Sequence, residues 1–276
     1  MVETNKIYLG DAYELIKKLP DKSIDLIVTD PPYEIVGGGS GGCFGVEHRD
    51  YHAEYKHLGR EEHKREGLRI IANAKRQKEN LNCVCEGFDY SLLDELDRVM
   101  KKINIYIWCN KNQISSLMKH YEDKECNVDL LVWHKTNPIP TCNNKYLSDL
   151  EYCVFAREPG VCLGGTYETK SKLFESACNK EDKDNYEHPT IKPLSIIETL
   201  IGNSITERSE RERERERAIV LDPFAGSGTT CLAAKHLGLD YIGFEINEKY
   251  YKIAVDRLQG INQKGELNLF DINYDI

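Results

Sequence analysis

Short apolar strands alternate with helical segments along most of this 276-residue chain, and the alternation limits the folds open to it. The apolar runs have the length and the branched or aromatic residues of buried strands. They cover Lys6–Leu9, Ile24–Thr29, Ile103–Trp108, Val128–Trp133, Tyr152–Phe155, Ala218–Leu221 and Tyr241–Phe244. This pattern predicts an α/β fold in which helices cover both faces of a mostly parallel sheet.

Helical patterns fill most of the intervals between these runs. Ala12 to Leu19 forms one apolar face that Pro20 ends, and Ser91 is placed to cap a helix that continues to Lys102. Further helices are predicted at 112–121, at 194–201, at 229–237 and in a last segment that ends at residue 258.

Composition is that of an ordinary globular protein. Hydrophobic residues make up 40% of the chain and charged residues 30%, with a formal net charge of −9. No apolar run is long enough to cross a bilayer, and the first residues lack the basic and apolar regions of a signal peptide. We therefore expect a cytoplasmic protein without a membrane partner.

The negative net charge does not exclude a nucleic-acid partner, because binding depends on where the positive charge is located. Residues 49–78 are locally rich in lysine and arginine. Such a segment is equally typical of a solvated helix face and of a surface that contacts phosphates, so charge leaves both interpretations open.

The ten cysteines are scattered along a chain that is too long to need a disulfide framework, and reduced thiols are expected. Only Cys83 and Cys85 form a close pair, and a single C-x-C pair is a weak zinc signal. We expect no metal site.

A buried strand, a glycine turn and a helix predict a site for a nucleotide-like cofactor near the end of the chain. Gly226 and Gly228 allow a tight turn against a ligand, and the start of the next helix offers N–H groups. Glu245 ends the following strand, where such folds have a carboxylate that binds ribose hydroxyls. No third glycine and no Lys-Ser/Thr pair follows, which disfavours a dinucleotide fingerprint and a phosphate-binding P-loop. The loop and helix start comprise Asp222, Pro223, Phe224, Ala225, Gly226, Ser227, Gly228 and Thr229.

A second motif, Asp30-Pro31-Pro32-Tyr33, directly follows a buried run. The two prolines end the strand, so the tetrapeptide lies just beyond its carboxyl end. The amino group of a base shares its lone pair with the ring and is a poor nucleophile. Asp30 and the Pro31 carbonyl, as acceptors for its two N–H groups, would aim that lone pair at a methyl donor. Tyr33 would stack on a base that has left the duplex.

Together and in this order, the two motifs resemble the β-group of N6-adenine and N4-cytosine DNA methyltransferases, in which the catalytic motif precedes the cofactor motif. The resemblance extends from Gly10 to about Leu258. It implies a Rossmann-like fold with a mostly parallel seven-stranded sheet, one strand of which is antiparallel. It also implies S-adenosylmethionine as the cofactor, bound by the glycine loop, and catalytic roles for Asp30, Pro31, Pro32 and Tyr33.

Shorter elements match the same family. Gly10-Asp11 resembles the element whose carboxylate contacts the adenine of the cofactor, which implies that role for Asp11. Trp133-His134-Lys135 resembles a motif at the end of a late strand. The segment from His188 resembles the H-P-T-x-K-P element beside the methionine part of the cofactor, which implies cofactor contacts for Lys192 and Pro193. Ile191 replaces a common glutamine there and leaves the backbone role intact.

The resemblance also suggests an organisation for the whole chain. We expect one methyltransferase domain over 1–276, with a mobile insert at 34–82 and a target-recognition segment at 137–187. An alternating Arg/Glu run at 204–217 is expected to be a surface linker. Double-stranded DNA is the implied partner, while a homodimer and a cognate restriction endonuclease stay open.

Asp30 favours adenine-N6 as the target, because N4-cytosine enzymes of this family more often carry serine there and a carboxylate is the stronger acceptor. Cytosine-N4 methylation is the alternative. A methyltransferase acting on RNA or on a glutamine side chain would more often carry asparagine at that position. A catalytically inactive DNA-binding protein of methyltransferase descent would show damage in one motif, and both motifs are intact.

Overall fold

The computed structural model describes residues 2–33, 88–138, 146–178, 191–205 and 217–261. The chain divides into two compact units. The first covers 1–31, 89–137 and 149–276 and contains every helix and strand named below. The second covers 32–88 and 138–148, of which Pro32, Tyr33, Phe88, Pro138 and residues 146–148 are described.

In the described part of the chain, eight strands form one sheet. They are β1 (Lys6–Leu9), β2 (Leu26–Thr29), β3 (Asn104–Cys109), β4 (Asn127–Lys135), β5 (Leu150–Arg157), β6 (Leu173–Ser176), β7 (Ile219–Asp222) and β8 (Asp240–Glu245). The strand order is β1-β8-β7-β2-β3-β5-β4-β6. Only β5 is antiparallel to its neighbours, β3 and β4, and the other pairings between these strands are parallel.

The helices named here are α1 (Ala12–Leu15), α2 (Leu92–Val99), α3 (Ile114–Glu122), α4 (Leu194–Ser204), α5 (Thr229–His236) and α6 (Glu248–Leu258). Asp11 caps α1 and accepts a hydrogen bond of 2.9 Å from the Tyr13 N–H. Ser91 precedes α2 as predicted, but its hydroxyl makes no capping bond. Its own N–H instead binds the Asp89 carboxylate at 2.9 Å.

Burial is greatest in the centre of the sheet. Every residue of β2 and β3 is buried, as expected of strands covered on both faces. Tyr106 of β3 stacks on Phe155 of β5 with ring centroids 4.2 Å apart, which joins the antiparallel strand to the core. Among the described residues, no helix combines the length and hydrophobicity needed to span a membrane.

The predicted fold class, a mostly parallel α/β sheet with one antiparallel strand, is confirmed. The sheet has one strand more than the seven that the resemblance implied. The additional strand, β6, pairs only with β4 at the sheet edge and lies in a stretch whose polar sequence predicted irregular structure. None of its residues is buried, so no hydrophobic pattern marks it.

Several predictions concern residues outside the described ranges. They include the insert at 34–82, the pair Cys83 and Cys85, and residues 206–216 of the Arg/Glu run. The segment predicted for target recognition is described at 137–138 and 146–178.

Candidate active site

The two sequence motifs lie on either side of the point where the strand order reverses. β2 and β7 are neighbours, and the chain continues from β2 towards β3 but from β7 towards β8. Parallel sheets bind ligands in the crevice at the carboxyl ends of two such strands. Asp30 directly follows β2, and Asp222 is the last residue of β7. The topology therefore brings Asp30 and Asp222 to the carboxyl ends of two adjacent strands.

Asp222 joins the two strand ends. Its Oδ1 accepts a hydrogen bond of 2.9 Å from the Thr29 hydroxyl, at the end of β2, and one of 3.1 Å from the Phe224 N–H. The side chain is buried, and burial raises the pKa of Asp222 to about 7, against the effect of its hydrogen bonds. Asp222 thus fixes the turn that begins the glycine loop.

The glycine loop needs its glycines for their backbone conformation. Gly226 and Gly228 have φ values of 53° and 78°, in the left-handed region that other residues rarely adopt. A Cβ atom on Gly228 would also lie 3.0 Å from the Cβ of Ala254 on α6. The Ala225 N–H donates to the Phe244 carbonyl at 2.8 Å, which ties the loop to β8.

A buried arginine supports the same loop from α6. Arg257 is 1% exposed, and its Nη1 donates a hydrogen bond of 2.8 Å to the Thr229 hydroxyl. The same atom approaches the carbonyl and the hydroxyl oxygens of Ser227 at 3.5 and 3.4 Å. The start of α5 is therefore held by a buried guanidinium that the motifs did not indicate.

The Glu245 side chain also contacts the loop, by accepting hydrogen bonds from backbone N–H groups. Oε2 accepts a hydrogen bond of 2.8 Å from the Gly226 N–H, and Oε1 accepts one of 2.7 Å from the Asn247 N–H. Burial raises the pKa of this carboxyl. On the adjacent strand end, the exposed Asp11 caps α1, and the Gly10 N–H binds the Glu245 carbonyl at 2.9 Å. The predicted acids Asp11 and Glu245 are thus brought to neighbouring strand ends.

Lys192 contacts Asp30, the first residue of the predicted catalytic motif. Its ammonium, in a side chain 6% exposed, binds Oδ2 of Asp30 and lies 3.1 Å from Oε2 of Glu151 on β5. The other Glu151 oxygen binds Lys135, the last residue of β4. Two ammonium groups and two carboxylates therefore alternate at the carboxyl end of the sheet.

The segment before α4 positions this lysine. Ile191 is buried in a small apolar cluster with Tyr250 and Ile253 of α6, where an isoleucine suits the surroundings. The Pro193 carbonyl accepts a hydrogen bond of 3.1 Å from the Ile196 N–H and begins α4. Lys192, between these two anchors, points its ammonium to Asp30. Its predicted contact with the cofactor stays a prediction.

Other predicted residues are placed by the fold without a tested role. Pro31 is buried at the end of the first unit, and Pro32 and Tyr33 belong to the second unit. Sequence reasoning missed Thr29, Glu151 and Arg257. Glu151 could have been noticed because it is an acidic residue at the start of an apolar strand. A carboxylate that is buried there requires a cation or a hydrogen-bond donor.

A further cluster of ionisable side chains lies away from the crevice, on α2 and α3. Asp94, Asp97 and His120 have the spacing of a cation site. The Lys124 ammonium binds both carboxylates, at 3.1 Å from Asp94. The cluster is therefore an ion-pair network.

Comparison with known proteins relates this arrangement to one family. A family model described as DNA methylase matches residues 24–256, most of the chain. The type II methyltransferase M2.LlaDCHI from Lactococcus lactis subsp. cremoris is 27% identical over 266 residues, which cover 90% of this chain and 87% of the relative.

Two solved structures share the fold. The crystal structure of the M1.HpyAVI–SAM complex has a TM-score of 0.59 at 23% identity and covers 92% of this chain and 99% of that chain. The PvuII DNA methyltransferase (cytosine-N4-specific) has a TM-score of 0.60 at 16% identity, with coverages of 92% and 86%.

Proposed function

We propose, from the family to which this chain belongs, the N6/N4 DNA methylases, that it is an adenine-N6 methyltransferase. It would transfer the methyl group of S-adenosylmethionine to N6 of adenine in double-stranded DNA. The hydrogen bond between Thr29 and Asp222 carries the proposal. Through this bond, the Asp30 motif and the glycine loop lie side by side at adjacent strand ends, as a reaction between base and cofactor requires.

The residues of the crevice fit S-adenosylmethionine. Its adenosine requires a hydrogen-bonding carboxylate, and the two Glu245 oxygens together keep acceptor capacity beyond the backbone N–H groups that they bind. Its methionine part requires close approach to the backbone of the loop, and Gly226 and Gly228 present no side chain there. Its positive sulfonium is not opposed by Lys192, because two carboxylates neutralise that ammonium. When bound, the cofactor supplies an electrophilic methyl group.

Asp30 and Pro31 act on the base. The Asp30 carboxylate accepts one amino N–H of an extruded base, and the Pro31 carbonyl accepts the other, so the nitrogen lone pair points out of the plane of the ring. Asp30 is also placed to take the proton that this nitrogen loses when the new N–C bond forms. Tyr33 stacks on the base, which compensates for stacking lost in the duplex.

Adenine is preferred over cytosine because of the residue type at position 30. A carboxylate binds an amino N–H more strongly than the serine hydroxyl that is common in N4-cytosine enzymes. Cytosine-N4 methylation is the second candidate. The fold does not separate the two, because a cytosine-N4-specific enzyme shares it.

Target recognition is proposed for segments of 137–187 outside the sheet. That range includes β5 and β6, so among its described residues those between the two strands are available to contact DNA. One catalytic domain over 1–276, the insert at 34–82, a homodimer and a cognate restriction endonuclease stay predictions.

The test is incubation of the purified protein with methyl-labelled S-adenosylmethionine and unmethylated DNA, followed by mass spectrometry of the nucleosides. Labelled N6-methyladenine is expected. Labelled N4-methylcytosine would instead support the second candidate. Cofactor binding without any labelled nucleoside would contradict the enzymatic function and favour an inactive DNA-binding protein.

A further inference from the structure

We propose that Glu151 is a positioning residue for methyl transfer, which shares the Lys192 ammonium with Asp30 and thereby sets the orientation and acceptor strength of the Asp30 carboxylate. The inference rests on the proposed function. It assigns a role in the reaction to an acid that belongs to neither motif.

The contacts converge from three parts of the fold. Asp30 extends β2, Glu151 lies in the antiparallel strand β5, and Lys192 precedes α4. The ammonium binds Oδ2 of Asp30 and is 3.1 Å from Oε2 of Glu151. It also lies 5.2 Å from the centroid of the Trp108 ring, which limits its movement on another side.

Glu151 is itself held in place from β4. Lys135 binds its second oxygen, and in the ladder between β4 and β5 Glu151 is directly opposite Trp133. The Lys135 ammonium lies 5.3 Å from the centroid of that ring. Glu151 thus has a fixed position from which to hold Lys192.

Glu151 and Lys192 stay charged although both are enclosed. Burial raises the pKa of Glu151, but the charges of Lys192 and Lys135 outweigh it and lower the pKa to about 2. Burial likewise lowers the pKa of Lys192, but the charges of Asp30 and Glu151 outweigh it and hold the pKa above its usual value. The nearby thiols of Cys109 and Cys153 are neutral, because burial raises the pKa of both.

Sharing of the ammonium has a chemical consequence. An ammonium bound to Asp30 alone would withdraw more charge from this carboxylate and make it a weaker acceptor for the amino group of the base. Removal of the ammonium would leave Asp30 without its cation, whereas Glu151 would still be paired with Lys135, so Asp30 would take up a proton more readily. Lys192 therefore keeps Asp30 ionised. Because the ammonium also binds Glu151, it weakens Asp30 less as an acceptor for the base.

The test compares Glu151→Gln, Lys192→Met and the double variant, after the wild-type protein has been shown to methylate DNA. We measure single-turnover methyl transfer at saturating DNA and cofactor, and cofactor affinity by calorimetry. Each single variant is expected to lose about 10- to 100-fold in rate, and Glu151→Gln, which keeps Lys192, should leave cofactor affinity unchanged. The double variant should be no slower than Lys192→Met, because Glu151 acts through Lys192.

The pH profile separates positioning from a structural role. In Lys192→Met, the acid limb of the rate profile should move to higher pH, because Asp30 loses its ammonium and faces the Glu151 carboxylate, which Lys135 still binds. Adding Glu151→Gln should move it back. Glu151→Asp keeps the charge and should retain most of the wild-type rate. If Glu151→Gln folds poorly, comparing Glu151→Asp with wild type still tests the role of the charge. Glu122→Gln, an exposed acid at the end of α3, is the matched control and should behave as wild type.

The results that would overturn the inference are distinct from a failure of the proposed function. Additive losses in the double variant, an unchanged rate in Glu151→Gln, or a loss confined to cofactor affinity would each contradict positioning of Asp30. Absence of methyl transfer by the wild-type protein would contradict the proposed function itself.

Discussion

Thr29 and Asp222, at the ends of two adjacent parallel strands, are joined by a buried hydrogen bond of 2.9 Å. The same carboxylate oxygen also accepts the Phe224 N–H. One buried acid therefore connects the strand that presents Asp30 with the loop that begins the predicted cofactor site. The arrangement requires a carboxylate in a place where ionisation is unfavourable.

The free energy of unfolding should depend on pH because ionisation of the buried Asp222 carboxyl is unfavourable. Burial raises the pKa of Asp222 from 3.8 to about 7, so between these values the folded protein binds a proton that the unfolded chain has lost. Stability from this group is therefore complete at low pH and decreases as pH rises towards 7, by at most about 1.4 kcal/mol per pH unit. Urea unfolding of wild type and Asp222→Asn across this range measures the difference. Parallel pH profiles for the two proteins would contradict the prediction.

Gly228→Ala should destabilise the glycine loop. A side chain there must adopt a φ of 78°, and its Cβ would lie 3.0 Å from the Cβ of Ala254. We expect a loss of at least about 2 kcal/mol in the free energy of unfolding and weaker cofactor binding, measured by urea titration and calorimetry. Gly202→Ala is the control, because a Cβ on this residue of α4 meets nothing within 4 Å. Equal effects of the two substitutions would refute the packing argument.

The sequence was most informative where one short segment carries its own physical constraint. The glycine turn after β7 and the two prolines after β2 depend on local backbone chemistry, and their topological positions agree with the prediction. The central strands β2 and β3 followed from apolar runs that are buried along their whole length. β6 did not, because an exposed edge strand has no such pattern.

Long-range partners were beyond the reach of sequence patterns. Lys192 binds Asp30 across 162 positions, and this contact depends on the strand order and on the path into α4. Glu151 could be recognised as unusual in an apolar strand, but its partner could not be named. In the sequence, Arg257 does not differ from the other polar residues of its helix. Only the fold shows that it contacts the glycine loop.

Arg257→Met should weaken cofactor binding more than it weakens the fold. The substitution keeps an apolar side chain of similar length, but removes the donor that holds the Thr229 hydroxyl at 2.8 Å. Without this bond the loop can leave its binding conformation, and a cost of about 1.4 kcal/mol to restore that conformation corresponds to about tenfold in affinity, measured by calorimetry. Lys252→Ala, which removes an exposed ion pair with Glu248 on the same helix, should leave affinity unchanged. Wild-type affinity in Arg257→Met would limit Arg257 to a packing role.

Asp30→Ala should abolish methyl transfer while cofactor affinity and folding are retained. The base loses the acceptor that holds its amino group, whereas Asp222, Glu245 and the glycine loop are unchanged. Folding is expected to persist because Lys192 keeps Glu151 as a partner at 3.1 Å. Asp30→Asn keeps one acceptor oxygen without the charge and should lose about 100-fold or more in rate.

The measurements for Asp30 are single-turnover transfer of a labelled methyl group and calorimetric titration with the cofactor. Asp123→Asn is a suitable control, since this acid is exposed at the end of α3 and binds only Lys119 among the contacts described. Loss of cofactor affinity in Asp30→Ala would show that Asp30 binds the cofactor rather than the base. Retention of the wild-type rate would show that the amino group is activated elsewhere, because no positioned acceptor would then be needed at the end of β2.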